Sequence, residues 1–169
     1  MILQSLKLLP AISVLLFATA NDAAAQANVR IEPRVGLQGP RVLEEQTAAA
    51  AIRDYLQSWQ SLTAALEQNR AELLDTCFAG TAREKLGQTI QEQAAVELGT
   101  QYSDRSHDIQ IVFYSPEGLS IELTDTVEYD MQINDHGKPM TSQHMRTRYI
   151  VVLTPAEARW KVRVFQAMK

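Results

Sequence analysis

A run of alternating apolar and polar side chains constrains the fold more than any other feature of this sequence. From residue 119 to residue 134 every second side chain is apolar except Asp125, and those between are polar. Alternation with a period of two is typical of a strand with one face in a core and the other toward water. The run is longer than most strands, so we expect a bulge or a strong bend within it.

Three further segments have the character of strands, namely residues 107–114, 138–153 and 160–167. The tetrapeptide Asn134-Asp135-His136-Gly137 has the composition of a hairpin turn and would connect two of the strands. We therefore predict a sheet of about four antiparallel strands.

The region before these strands has helical periodicity. Apolar residues recur at steps of three and four over residues 52–66, which predicts a long amphipathic helix. A shorter helix is expected to end at Gly80. Thr81 and Glu84 form a capping-box pair that opens a third helix, with Gly99 as its C-terminal stop. Helices followed by strands predict an α+β fold, with the helices packed against one face of the sheet.

The first residues have the features of a secretory signal peptide. Residues 1–27 combine a short basic start, an apolar run and the small-x-small site Ala25-Gln26-Ala27. The apolar run is shorter than the roughly 20 residues of a membrane span, which favours a cleaved signal over the alternative of an uncleaved anchor. We expect residues 28–41 to form an extended linker or arm and residues 42–169 to form the domain. The mature protein is then periplasmic or secreted by a bacterium.

Composition narrows the classes of function. The formal net charge of −4 argues against a nucleic-acid partner. A single cysteine excludes a disulfide framework within the chain, and the three histidines lack the spacing of metal ligands. The sequence has no glycine-rich phosphate loop or nucleotide fingerprint. We therefore expect no metal, no cofactor and no membrane span in the mature chain.

Four segments carry a resemblance to a known superfamily: residues 51–59, Asp135-His136-Gly137-Lys138, Arg148-Tyr149-Ile150-Val151 and Trp160-Lys161-Val162. Their order resembles the cone-shaped, cystatin-like superfamily of nuclear transport factor two and ketosteroid isomerase. The strand pair with Arg148-Tyr149 and Trp160-Lys161-Val162, with Trp59 on the first helix, is also similar to the intermembrane domain of plastid and cyanobacterial division regulators. The resemblance implies a strongly curved sheet that folds around the first helix. It also implies either noncatalytic protein binding or catalysis inside the cone, because a fold does not choose between them.

Asp125 is the first candidate for chemistry, because it interrupts the apolar face between Leu123 and Val127. A carboxyl group in an apolar interior has a raised pKa and can act as a general base. Enzymes of the superfamily use an interior Asp in this role, which the resemblance implies here with Tyr129 on the same face. The alternative is a bulge near Thr124 that turns Asp125 toward solvent.

Tyr102, Asp104 and His107 form a second candidate cluster just before the first predicted strand. An Asp can orient an imidazole for proton transfer, and a Tyr can donate to an oxyanion. The three residues fall where we expect a loop, and polar side chains in loops are mostly solvated. The solvated interpretation is therefore favoured.

These observations favour an exported noncatalytic binding or assembly module that acts through protein–protein contact. The alternative is a small-molecule-binding protein, or a lyase or isomerase, that uses an acid inside the cone. The space inside the cone distinguishes the two functions. Filling by Leu56, Trp59, Phe113 and Met131 favours the module. A pocket favours the alternative, with candidate lining residues Tyr55, Trp59, Tyr102, Asp125 and Tyr129.

A homodimer through the open face of the sheet is the partner that the resemblance implies. Its support in the sequence is the apolar character of both strand faces around Val112, Tyr114, Val151 and Val152. A further protein partner is expected but not identified by the sequence.

Overall fold

A computed structural model describes residues 27–32 and 41–168. The predicted signal segment before residue 27 lies outside the described residues, as does most of the predicted linker. The elements follow in the order β1 (Asn28–Ile31), α1 (Glu45–Gln68), a 3-10 helix (Ala71–Leu74), α2 (Gly80–Ala95), β2 (Leu98–Tyr114), β3 (Ile121–Asp135), β4 (Lys138–Pro155) and β5 (Trp160–Ala167).

Helix α1 is the long amphipathic helix that the sequence predicts. Its buried stripe packs against the sheet, and the helix ends at Asn69, which adopts a left-handed conformation with φ 54°. Asp54 on the same stripe accepts a 2.9 Å hydrogen bond from the backbone N–H of Trp160 at the start of β5. This bond joins α1 to the far edge of the sheet and satisfies a buried carboxylate oxygen.

The five strands form one open sheet in the order β1-β2-β3-β4-β5. Strands β2 to β5 are antiparallel neighbours, whereas β1 is parallel to β2. The turn between β3 and β4 consists of His136 and Gly137, both with positive φ, as in a two-residue hairpin turn of type I′. The α+β class is therefore confirmed, with two α-helices and a mixed sheet.

The number of strands differs from the prediction of about four. Asn28–Ile31 pairs with residues 106–109 of β2 as a fifth strand, within the segment that we expected to be a linker or extended arm. The segment Asn28-Val29-Arg30-Ile31 alternates polar and apolar side chains, but over four residues only, and all four are exposed. Strand addition at an edge depends on backbone hydrogen bonds, which a side-chain pattern does not reveal.

The helical predictions were wrong in three details. The expected second helix is one short 3-10 turn, and the expected capping box of α2 does not form. Thr81 instead donates a 3.1 Å hydrogen bond to the carbonyl oxygen of Arg163 on β5. Helix α2 ends at Ala95, and Gly99 lies within β2 and does not stop the helix.

Strand β2 starts earlier than predicted, so the expected loop at Tyr102, Asp104 and His107 was wrong: all three lie within the strand. Phe113 pairs with Glu122, on the sheet face away from the helices, so it does not fill the interior. Tyr114 and Val151, two residues expected on a dimer surface, belong to the core.

Candidate functional site

A bulge in β2 brings two candidate residues to one face. The pairing with β3 shifts between Asp104 and Ser106, which leaves Arg105 as the extra residue. Residues three apart in a regular strand point to opposite faces, so without the bulge Asp104 and His107 would be separated. Arg105 itself points outward and pairs with Asp130 at 2.6 Å. Both Asp104 and His107 therefore lie on the side of α1.

Asp125 lies at the centre of a buried hydrogen-bond network. The Tyr55 hydroxyl donates to Asp125 Oδ2 at 2.8 Å, and His107 Nδ1 contacts the same oxygen at 2.7 Å. The Trp59 indole N–H donates to the Tyr55 oxygen at 2.8 Å. Asp125 is 0% exposed, so no bulge near Thr124 turns it to solvent. We call these four residues (Tyr55, Trp59, His107 and Asp125) the buried network.

The charge on His107 is set by two carboxylates. Burial lowers its pKa, but the hydrogen bonds and charges of Asp104 and Asp125 outweigh burial and raise the pKa to about 9. The second ring nitrogen, Nε2, lies 3.8 Å from Asp104 Oδ2. At neutral pH the imidazole is therefore protonated, and both of its nitrogens carry hydrogens directed at carboxylates.

Tyr55 is held as a neutral donor. Burial raises its pKa well above the ordinary value, and the charge of Asp125 raises it further. A hydroxyl group that stays protonated donates its hydrogen to Asp125 across the whole physiological range. The buried network thus consists of the ion pair between His107 and Asp125, the neutral phenol of Tyr55 that donates to Asp125, and the Trp59 indole that donates to Tyr55.

Tyr129 belongs to a different cluster from Asp125, although the sequence places them on one face. Its hydroxyl lies 3.3 Å from the Tyr149 hydroxyl and 3.4 Å from that of Thr147. The Tyr102 ring packs beside the Tyr129 ring with centroids 5.0 Å apart, and burial raises the pKa of Tyr102 to about 12. The structure therefore brings Asp125 together with Tyr55 and His107, and not with Tyr129.

A cavity of about 710 Å³ lies between α1 and β2. Among the candidate residues, Tyr102, Asp104 and His107 line it, while Tyr55, Trp59, Asp125 and Tyr129 do not. A second groove of about 490 Å³, between α1 and β1, is lined by apolar residues such as Ile31, Ile52 and Leu56. His107 thus stands between the larger cavity and the sealed carboxylate of Asp125.

Sequence reasoning missed the partnership between α1 and Asp125. Tyr55 and Trp59 are one helical turn apart on the buried stripe, and each has a polar atom that needs a hydrogen-bond partner in a core. Asp125 is the one acidic residue on the apolar face of the long alternation. These needs indicate that each group has a hydrogen-bond partner, and the packing of α1 against the sheet identifies which one.

The described ranges contain no candidate metal site and no candidate membrane-spanning helix. Across residues 27–32 and 41–168, no group of three or more His, Cys, Asp or Glu side chains is placed to hold a metal ion. No helix in this part of the chain is long and apolar enough to cross a membrane. Cys77 is buried.

Comparison with known proteins finds solved structures that are similar to this one. No protein-family model matches the chain, and no curated protein sequence matches it. The structure is similar to the intermembrane space region of the chloroplast protein ARC6, with a TM-score of 0.63 and 14% identity, over 76% of this chain and 98% of that one. It is also similar to a scytalone-dehydratase-like protein from Novosphingobium aromaticivorans, with a TM-score of 0.51 and 12% identity, over 75% and 89% of the two chains.

The similarity is one of fold. At this low sequence identity it is consistent with the nuclear transport factor two-like fold that the sequence analysis expects. The two neighbours are a chloroplast protein region and a dehydratase-like protein, so the shared fold does not select a function.

Proposed function

We propose that this chain is an exported noncatalytic module that binds another protein. The observation that supports this most is the burial of the buried network: Tyr55 and Asp125 are 0% exposed, Trp59 1% and His107 2%. A general base must come within hydrogen-bond reach of a substrate proton. A carboxylate enclosed by a tyrosine, a histidine and the strands on either side has no such access.

The protonation state of His107 supports the same proposal. A general base near neutral pH needs an unprotonated nitrogen and a pKa near the working pH. His107 has a pKa of about 9, and its Nδ1 is held against Asp125. Its charge therefore serves to balance carboxylates, which is a structural role.

The surface that we propose for contact is the sheet face away from the helices. Residues of neighbouring strands form a half-buried aliphatic patch there, because Val152 pairs with Val164 and Ile150 lies two residues along the same face. Phe113 lies in the same row of this face, separated from Val152 by Glu122, which pairs with both of them. We call Phe113, Ile150, Val152 and Val164 the outer patch. Its proposed occupant is a second copy of this chain, since the same patch can be self-complementary across a two-fold axis.

A charge in the outer patch is expected to separate the two copies. We expect light scattering on the purified protein at high micromolar concentration to give twice the mass of one chain. Val152→Glu should give the mass of one chain. The reason is that an unpaired carboxylate buried in an apolar interface costs on the order of several kcal/mol. Thr141→Glu is the matched control, since Thr141 is exposed at the hairpin end of the same strand. A single-chain mass for the unaltered protein would contradict this contact surface.

A second candidate function has one specific observation in its favour. The cavity of about 710 Å³ has the size of a small-molecule site, and it holds polar side chains from Tyr102, Asp104 and His107. A small-molecule-binding protein, or a lyase or isomerase, would place its ligand there, with His107 as the group that contacts it.

Fragment screening separates the two functions. A library of small carbonyl and hydroxyl compounds is added to the isotopically labelled protein, and amide shifts are followed by NMR. The second candidate predicts saturable shifts around Tyr102, Asp104 and His107 that His107→Gln abolishes and Glu117→Gln, an exposed control, leaves unchanged. The noncatalytic module predicts no saturable shifts at these residues.

A further inference from the structure

The first strand begins where the predicted cleavage site ends. The motif Ala25-Gln26-Ala27 places the cleaved bond between Ala27 and Asn28. Strand β1 pairs with β2 from Asn28 onward, with Asn28 opposite Ser106. Ala27 lines the same cavity as Glu67, Asp104 and His107. Cleavage at the predicted bond would therefore leave the new amino terminus at this cavity.

The cavity has an excess of negative charge. Asp104 and Glu67 line it together with the single imidazolium of His107, whose Nδ1 is already paired with Asp125 behind the cavity. The guanidinium of the neighbouring Arg105 points outward and forms an ion pair with Asp130 at 2.6 Å. Arg30 of β1 lies 3.7 Å from Glu32. These two guanidinium groups therefore do not balance the negative charge near Asp104.

One oxygen of Asp104 has no hydrogen-bond partner. Asp104 Oδ1 is buried, and no donor of the described residues lies within hydrogen-bond distance of it. A buried polar atom without a partner costs free energy, and a charged one costs more. Asp104 lines the cavity, and this oxygen of its carboxylate lacks a donor.

We propose that the ammonium group of Asn28, formed by cleavage after Ala27, binds Asp104 in this cavity. The inference rests on the export that is part of the proposed function. Hydrolysis of the Ala27–Asn28 bond consumes one water, leaves a carboxylate on the departing Ala27 and gives Asn28 a protonated amino group. That group donates to Asp104 Oδ1 and supplies the positive charge that the cavity lacks.

Docking of the amino terminus would fix β1 to the edge of the sheet. Strand β1 has four exposed residues and one neighbouring strand, so few contacts hold it. A charge-assisted hydrogen bond at its first residue adds an anchor at the end where the chain is otherwise free. The processed chain and the precursor should therefore differ in the order of β1.

The first part of the test is the mass of the processed chain. The full-length chain is expressed in a bacterium, and its mass is measured in the periplasmic and cytoplasmic fractions. We expect a periplasmic chain that starts at Asn28. An uncut chain confined to the cytoplasm would overturn both the docking and the export that the proposed function includes, whereas a periplasmic chain that is uncut or cut elsewhere would overturn the docking alone.

The second part couples the amino group to Asp104. The processed chain is unfolded, acetylated at its α-amino group near neutral pH, where this group reacts before lysine, and refolded. Amide hydrogen exchange of residues 29–31 is then compared for the unaltered protein and Asp104→Asn, each with and without acetylation. Glu117→Gln is the control for the loss of an exposed carboxylate.

We expect acetylation to accelerate exchange in β1 by about tenfold in the unaltered protein, as the loss of one charge-assisted hydrogen bond would. In Asp104→Asn, acetylation should change the rate little, because the acceptor is already altered. Equal acceleration in both proteins would overturn the docking. If the chain still starts at Asn28, that result leaves the proposed export and function standing.

Discussion

Replacing Asp125 with alanine is expected to lower the free energy of unfolding by about 3–5 kcal/mol, the usual cost of removing one partner of a buried ion pair. The substitution leaves the His107 imidazolium without its nearest counter-charge and the Tyr55 hydroxyl without an acceptor. It also leaves a space beside the Tyr55 hydroxyl, which accepts the hydrogen bond of the Trp59 indole. Urea unfolding followed by tryptophan fluorescence measures the effect.

The isosteric substitution Asp125→Asn sharpens this test. Its amide oxygen can still accept from Tyr55, but it provides no charge for His107, so we expect a smaller loss than with alanine. Glu117→Gln, which removes an exposed carboxylate, should change stability by less than about 0.5 kcal/mol. Reactive acids are often retained at the expense of stability, so their removal commonly stabilises a protein. Greater stability in Asp125→Asn would therefore contradict the structural role and favour the catalytic one.

Stability is also expected to fall as the pH rises from 6 to 9.5. The pKa of His107 is about 9 in the folded chain, whereas an unfolded histidine has a pKa of about 6.5. A raised folded pKa contributes stability that is fully present below the unfolded pKa and is lost as the pH rises through the folded one. The difference corresponds to a loss on the order of 3 kcal/mol. Urea unfolding at intervals of pH measures it.

The control for the pH dependence is His107→Gln. Its unfolding free energy should be lower at pH 6 and should change much less up to pH 9.5, a range that ends before unfolded tyrosines ionise extensively. Parallel pH profiles for the two proteins would show that another group carries the dependence, and would contradict the charge assigned to His107.

The strand pattern predicted much of the fold because burial on one face of a sheet repeats every second residue. Strands β3 and β4 and their hairpin follow from this pattern, and so does the face on which Asp125 lies. Helix α1 follows in the same way from its apolar stripe. Strand β1 was missed because its alternation extends over four residues only and its pairing depends on the backbone.

The first half of β2 could not be recognised as a strand because of its composition. Residues 101–106 are polar, so they have the character of a loop even though they pair with β3. The bulge at Arg105 then shifts the alternation, which places Asp104 and His107 on one face against the period of a regular strand. The alternative interpretation of Asp125, a bulge near Thr124, does not apply, because the pairing there is regular.

The partners of Asp125 depend on the rotation and position of α1 over the sheet. Tyr55 lies 70 residues before Asp125 in the chain, and spacing in sequence gives no measure of their distance. The need of a buried carboxylate for donors indicates that partners exist, but several side chains on the stripe could supply them. Only the packing of α1 against β2 and β3 identifies Tyr55 and His107.

The most direct measurement of the central claim, that His107 and Asp125 form a sealed ion pair, is an NMR titration of the His107 ring. Nitrogen shifts of the labelled imidazole are followed from pH 5 to pH 10, together with exchange of the Nδ1 hydrogen with water. We predict a pKa of about 9 and a slowly exchanging hydrogen at Nδ1. An ordinary pKa near 6.5 with rapid exchange would contradict the sealed network and place His107 in contact with solvent.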